Sequence, residues 1–141
     1  MIALVDTSAL VALAAPRDQS HAAAVAIARG FLERGGRFVG TTLVLGEFHV
    51  LVLQRQGSET ARTALTRLLD DVAYQWVGVP PDLVRDAMSA WLHRFRDQRF
   101  SLTDAVSFEL MRREKIDSAF AFDRHFVTAG FELLSAGRGT G

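Results

Sequence analysis

The chain contains no cysteine and carries no net charge, and each absence excludes a class of protein. Without Cys among its 141 residues, the protein has neither disulfides nor thiolate metal ligands, which fits a reducing cytosol. Its 16 basic and 16 acidic residues balance, so no overall basic surface indicates a nucleic-acid partner. Evidence for function must therefore come from the positions of individual charged residues in the sequence.

Long apolar runs are also absent. Asp6, Arg17, Glu47 and His49 interrupt the apolar stretches, and none of these stretches reaches the roughly 20 residues of a membrane span. The N-terminus lacks a basic start, and Asp6 falls where the apolar part of a secretory signal would begin. We therefore expect a cytoplasmic protein with no membrane partner.

The chain does have enough apolar residues for a sizeable core. Hydrophobic residues make up 49% of the sequence, in a chain of ordinary single-domain length. No repeat or linker divides it, so we expect one domain over residues 1–134 and a flexible tail over residues 135–141. The tail's Gly-Arg-Gly-Thr-Gly follows no strong strand and opens no helix, which makes it a poor phosphate-binding loop.

Short apolar segments alternate with helical ones along the chain. The predicted strands are residues 2–5, 37–40, 73–77, 118–122 and, at an edge, 131–134. The predicted helices are residues 8–15, 18–33 with Asp18 as N-cap, 42–56, 59–70, 80–96 and 103–115. This alternation predicts an α/β fold, a three-layer sandwich with a short, mostly parallel sheet flanked by helices. In such sheets ligands bind at the carboxyl ends of the strands.

Two acids stand at those carboxyl ends. Asp6 follows the first predicted strand and Asp123 follows the fourth. Both would face the crevice where a ligand is expected. Helix capping is an equally good local explanation for each, because Asp is a favourable N-cap.

Glu47 is harder to explain locally. It lies in a predicted helix that is apolar nearly all round, which implies burial on several sides. A buried carboxylate is costly unless it is paired or binds a metal. The alternative to a metal is a basic partner inside the fold, either an Arg or His49.

Asp104 begins a helix in the segment Ser101-Leu-Thr-Asp104. The spacing fits a variant capping box, which is the structural alternative to a functional role. Four acids at one rim would repel one another, and hard cations such as Mg²⁺ and Mn²⁺ relieve that repulsion. Carboxylates that hold hydrated cations are the equipment for phosphodiester hydrolysis.

Four segments around these acids together resemble the PIN-domain family, and within it the VapC-type toxins of type II toxin–antitoxin systems. They are Leu4-Val-Asp6-Thr-Ser8-Ala-Leu, Thr42-Leu-Val-Leu-Gly-Glu47, Ser101-Leu-Thr-Asp104-Ala, and Ala119-Phe-Ala-Phe-Asp123-Arg-His-Phe followed by Gly130-Phe. Each segment alone is weakly specific. The four occur in order and at the family's spacing, and the resemblance covers essentially the whole chain.

The resemblance implies a PIN-like fold and an Mg²⁺- or Mn²⁺-dependent endoribonuclease. Asp6 and Asp104 would be the main metal ligands, Glu47 and Asp123 would complete the acidic site, and Thr7 or Ser8 would support it by hydrogen bonds. Family members of the VapC type cleave structured RNA such as tRNA or rRNA. They form homodimers and are held inactive by a cognate antitoxin.

An Arg- and Phe-rich segment precedes Asp104 and suggests where RNA would lie. Arginine grips phosphates, and Phe95 or Phe100 would stack on bases unless both belong to the core, which is the alternative that we favour. The candidate RNA-binding residues are Arg94, Arg96, Arg99 and Arg124. The four His residues lack a metal-ligand spacing such as His-Glu-x-x-His, so we expect structural or surface roles for them.

Other functions with acids at strand ends fit less well. A receiver-like phospho-acceptor domain needs an adjacent acidic pair and a Lys late in the sheet, whereas Lys115 ends a helix. A haloacid-dehalogenase-type phosphatase needs Asp-x-Asp where this chain has Asp6-Thr-Ser, and the Gly-x-Ser-x-Gly of a serine hydrolase is absent. The alternatives that remain are a housekeeping RNA-processing PIN nuclease and a non-catalytic RNA-binding PIN domain.

Overall fold

A computed structural model describes residues 1–136, and the predicted tail lies outside the described residues from residue 137 onward. The strands are β1 (Ile2–Val5), β2 (Arg37–Thr41), β3 (Tyr74–Val77), β4 (Ser118–Phe120) and β5 (Glu132–Leu133). The helices are α1 (Thr7–Ala14), α2 (His21–Glu33), α3 (Thr42–Gln56), α4 (Ser58–Asp70), α5 (Pro81–Ala87), α6 (Leu102–Glu114) and α7 (His125–Thr128), with a π-helical segment (Met88–His93) continuing α5. No described helix is long and apolar enough to cross a membrane.

All five strands pair in parallel in the order β3-β2-β1-β4-β5. Side chains alternate between the two faces of the sheet, so that Val5 packs with helices α1–α4 and Leu4 packs with α5–α7. The predicted three-layer α/β sandwich is confirmed. Strands β2 and β3 lie on one side of β1, and the later strands β4 and β5 lie on its other side. The strand order therefore reverses between β1 and β4, and ligands of such sheets bind at this switch point.

The second helix begins later than the sequence predicts. Asp18 is not its N-cap, because the helix starts at His21 and Ser20 occupies the cap position. The Asp18 carboxylate instead accepts a hydrogen bond from the backbone N–H of Ser20 at 2.8 Å. This is a turn that satisfies the carboxylate before the helix starts.

The predicted helix over residues 80–96 also differs. Regular α-helix ends at Ala87, and a π-helical segment follows to His93. Within it Trp91 is buried, and its indole Nε1 donates to Glu109 Oε1 of α6 at 3.2 Å. Wider helical turns of this kind are rare and occur often beside functional sites, and here the segment leads directly into the loop before α6.

Candidate active site

Asp6 stands at the carboxyl end of β1 and is 5% exposed. It is the N-cap of α1, and its Oδ2 accepts from the Ser8 backbone N–H at 3.3 Å and from Ser8 Oγ at 2.8 Å. Burial raises the pKa of Asp6 to about 6, the Ser8 bonds lower it, and the nearby charge of Asp104 raises it. Within residues 1–136 no Arg or Lys forms an ion pair with Asp6, so its charge is buried without a basic partner.

Ser8 links the carboxyl ends of the adjacent strands β1 and β4. Its Oγ donates to Asp6 and accepts from the backbone N–H of Phe122 at 3.0 Å. Phe122 is the residue before Asp123 and follows β4, which pairs with β1 at Val5 and Phe120. A single hydroxyl therefore fixes both the Asp6 carboxylate and the position of the chain that carries Asp123.

Asp104 is 7% exposed at the start of α6. The predicted capping box is confirmed: Ser101 N–H donates to Asp104 Oδ2 at 3.0 Å, and Asp104 N–H donates to Ser101 Oγ at 3.1 Å. The carboxylate also faces the acidic cluster, because its Oδ2 lies 2.9 Å from His125 Nδ1. Capping and a place in the acidic cluster are therefore compatible in this residue.

Asp123 and His125 form a tight turn after β4. Asp123 Oδ1 accepts from the His125 backbone N–H at 2.8 Å. His125 Nδ1 lies 2.9 Å from Asp104 Oδ2 and 3.4 Å from Asp123 Oδ2. Among residues 1–136, Asp104, Asp123 and His125 each offer a ligand atom, and these atoms all lie within 4.8 Å of one another.

Glu47 differs most from its predicted environment. The prediction that it is buried is wrong, since Glu47 is exposed and lines an open groove beside α3 with Gly46 and Val50. Its partner is neither an Arg nor His49, because Glu47 Oε1 accepts from Thr7 Oγ1 at 2.9 Å. Thr7 directly follows Asp6 in the chain, so this hydrogen bond places Glu47 beside the residue after Asp6.

The structure thus brings Asp104 and Asp123 together, whereas Asp6 and Glu47 are not in this close group of ligand atoms. Asp6 is near enough for the charge of Asp104 to raise its pKa, and Glu47 contacts Thr7, the residue after Asp6. The structure also adds His125, contrary to the expectation that every His is structural or superficial. The missed signal was local, because a His two residues after an acid at a strand end shares a tight turn with that acid. Its contact with Asp104, 21 residues away, could not be found from spacing.

The candidate RNA-binding arginines are all exposed. Arg94, Arg96 and Arg99 lie between the π-helical segment and α6, and Arg124 directly follows Asp123. Within the described residues none of them forms an ion pair with an acid. These guanidinium groups are free to contact an anionic ligand.

The two phenylalanines of this segment belong to the core. Phe95 is half-buried and Phe100 is buried, and both pack in an aromatic cluster with Trp91 and Phe108. Phe100 also packs edge to face against the imidazole of His125, with ring centroids 5.4 Å apart. Their role is to fix the loop and His125, so base stacking by these rings is not supported.

The fold and the site define a class: an α/β protein that collects carboxylates at the switch point of a parallel sheet. A family model described as the PIN domain matches residues 3–132, and the chain belongs to the PIN-domain family. The chain is 35% identical over 127 residues to the 23S rRNA-specific endonuclease VapC20 of Mycobacterium tuberculosis, covering 90% of this chain and 93% of that protein. The PIN domain is a nuclease fold.

Solved structures agree with this assignment. The crystal structure of Mycobacterium tuberculosis VapC20, described as a Sarcin-Ricin loop cleaving toxin, superposes with a TM-score of 0.80 at 32% identity, covering 93% of this chain and 96% of that one. VapBC2 from Rickettsia felis, bound to a DNA fragment from its promoter, gives a TM-score of 0.69 at 13% identity, with coverage of 97% and 100%. At that identity the second likeness bears on the fold alone.

Proposed function

We propose that the protein is a divalent-metal-dependent endoribonuclease that acts in the cytoplasm as the toxin of a type II toxin–antitoxin system. The observation that carries the proposal is the Asp6 carboxylate. It is buried beside the charge of Asp104, its pKa is raised to about 6, and no described basic side chain pairs with it. A carboxylate that the fold holds in this way is stabilised by a bound cation.

The donor atoms at the site fit Mg²⁺ or Mn²⁺. Hard cations of this size take oxygen ligands, and Mg²⁺ usually takes one or two carboxylates directly and keeps water in its other positions. Asp6 and Asp104 are the proposed main ligands, with Asp123 and Glu47 completing the acidic site. When bound, the cation would neutralise charge on the attacked phosphate and activate water for hydrolysis.

The protein's own residues position this chemistry. Ser8 bonds one oxygen of the Asp6 carboxylate and leaves the other without this donor. The Ser101 backbone N–H orients the Asp104 carboxylate through Oδ2, the oxygen that also faces His125, and that oxygen keeps a second lone pair. Thr7 holds Glu47 toward the site at 2.9 Å. Arg94, Arg96, Arg99 and Arg124 would bind the phosphates that flank the scissile bond, because guanidinium groups contact phosphate oxygens in a bidentate manner.

For the substrate we propose 23S rRNA, the target in the name of the similar Mycobacterium tuberculosis protein. That likeness extends over 90% of the chain. A cognate antitoxin is proposed as the partner that restrains the activity, and a homodimer as the active form. Both follow from the family resemblance, and the Rickettsia felis and Neisseria gonorrhoeae neighbours, VapBC2 and FitAcB, support the fold on which it rests.

The test is cleavage of 23S rRNA by the purified protein with Mn²⁺, with Mg²⁺ and with EDTA. We expect cutting only with metal, and Asp104→Asn should lower the rate on the order of 100-fold, since it removes a ligand charge. Asp70→Asn, an exposed acid on α4, is the matched control and should cut like the parent. Cleavage in EDTA, or full activity in Asp104→Asn, would contradict the site assignment.

A second measurement separates a toxin from a processing enzyme. Expression of the parent protein alone should arrest growth, and Asp6→Ala should relieve the arrest. Co-expression of a cognate antitoxin, to be sought in a small open reading frame adjoining this gene, should relieve it as well. Normal growth on expression of an active parent protein would favour a housekeeping nuclease instead.

A further inference from the structure

We propose that His125 is a nitrogen ligand of the metal, and that it makes the site prefer Mn²⁺ to Mg²⁺. This inference rests on the metal-dependent function proposed above and goes beyond its four carboxylates. The imidazole Nδ1 lies among acidic oxygens, 2.9 Å from Asp104 Oδ2 and 3.4 Å from Asp123 Oδ2. It is therefore placed among the atoms that would surround the cation.

The distances fit a shared cation. Two ligand atoms in adjacent octahedral positions lie about 3 Å apart, because each is about 2.1 Å from the ion. The separations of Nδ1 from the Asp104 and Asp123 oxygens bracket that value. In the neutral imidazole with its proton on Nε2, the Nδ1 lone pair would be available to the metal in place of the contact with Asp104.

The fold holds this imidazole in place from three directions. The backbone N–H of His125 donates to Asp123 Oδ1 at 2.8 Å, which fixes the start of α7. The ring of Phe100, 8% exposed, packs against the imidazole from the loop before α6. Asp104 faces Nδ1 from α6 itself. These contacts hold the imidazole where its Nδ1 faces the acidic oxygens.

A nitrogen ligand changes the metal preference. Mg²⁺ accepts oxygen ligands almost exclusively, whereas imidazole binds transition-metal ions, whose affinities for such sites increase along the first row. A site with two carboxylates and one imidazole should therefore bind Mn²⁺ more tightly than Mg²⁺, and removing the nitrogen should reduce that preference. His125 would then set the specificity of the site for its cation.

The variant His125→Asn distinguishes a role of His125 as a metal ligand from a role as a hydrogen-bond donor to Asp104. The Asn amide nitrogen can replace the Nδ1 donor to Asp104 but does not bind metal as imidazole does. We expect Mn²⁺ affinity, measured by calorimetry, to fall about tenfold or more, while Mg²⁺ affinity changes much less. His93→Asn, an exposed histidine of the π-helical segment, is the matched control and should leave both affinities unchanged.

A spectroscopic readout tests the bond directly. Electron spin-echo modulation of Mn²⁺ bound to the parent protein should show a directly bound nitrogen, and His125→Asn should lose it. A parent spectrum without nitrogen coupling, or a His125→Asn variant that keeps the full preference for Mn²⁺, overturns the inference while leaving a metal-dependent nuclease intact. A parent protein that binds neither cation overturns the proposed function together with the inference.

Discussion

The buried charge of Asp6 predicts that Asp6→Asn stabilises the metal-free protein. Its pKa is raised from 3.8 to about 6, and a shift of that size corresponds to about 3 kcal/mol of folding free energy at neutral pH. Asn keeps one oxygen to accept from Ser8 but loses the strength of a charged acceptor. We therefore expect a net gain of about 2 kcal/mol, roughly 5 °C in melting temperature for a domain of this size.

The sign of the effect follows from linkage. The folded-state pKa of Asp6 lies above its unfolded value. The contribution of this carboxyl group to the free energy of unfolding is therefore fully present below about pH 4 and is lost as pH rises through about 6. The advantage of Asp6→Asn over the parent should therefore be largest above pH 6 and should shrink between pH 6 and pH 4. Urea unfolding in EDTA at a series of pH values measures this difference directly.

Metal binding should make the parent protein more stable than Asp6→Asn, which reverses their order of stability in EDTA. Saturation at a hundred times the dissociation constant stabilises the folded parent by about 2.7 kcal/mol, whereas Asp6→Asn should gain much less because a ligand charge is missing. Asp82→Asn, an acid with a 93% exposed side chain, should differ little from the parent throughout. The reasoning is refuted if Asp6→Asn is less stable than the parent in EDTA at pH 7.5, or if the difference between them does not depend on pH.

Two further predictions concern stability alone. Glu109 is 1% exposed and its pKa is lowered, first by the hydrogen bond from Arg112, so Glu109→Gln should lower the free energy of unfolding by about 2 kcal/mol at pH 7. Urea unfolding should show this difference between the variant and the parent narrowing as pH falls below the ordinary Glu value of 4.5. A difference that widens there would contradict the prediction. Gly46→Ala should raise stability by up to about 1 kcal/mol, because a Cβ there meets nothing within 4 Å. The control Gly36→Ala, whose Cβ would overlap the Phe31 ring, should lower the melting temperature, and equal effects at both glycines would refute this steric argument.

Strand positions and layer order could be predicted because they depend on local pattern. Short apolar segments with β-branched residues, separated by helical periodicity, permit few arrangements other than a covered parallel sheet. Chain order also predicted that Asp6 and Asp123 follow strands that end at one edge of the sheet, and the strands that precede them, β1 and β4, are adjacent. All five predicted strands are present, and their bounds differ by at most two residues at either end.

The environment of Glu47 could not be predicted from the same pattern. A helix that is apolar nearly all round was interpreted as buried on every side. In the fold α3 packs through Val44, Phe48 and Val52, while Val50 is 48% exposed on the side of Glu47. Periodicity distinguishes apolar from polar faces, but it does not identify which apolar face meets the rest of the chain.

For these acids, a role in helix capping does not exclude a role in metal binding. At Asp6 the capping donors of Ser8 engage Oδ2, and at Asp104 the capping N–H of Ser101 engages Oδ2 as well. At Asp123 the turn donor engages Oδ1. Each local hydrogen bond orients a carboxylate without using all of its lone pairs. Since a carboxylate has two oxygens with several lone pairs, an acid that caps a helix can still offer an oxygen to a cation. A capping signal at the carboxyl end of a parallel strand is therefore compatible with the proposed metal site and does not argue against it.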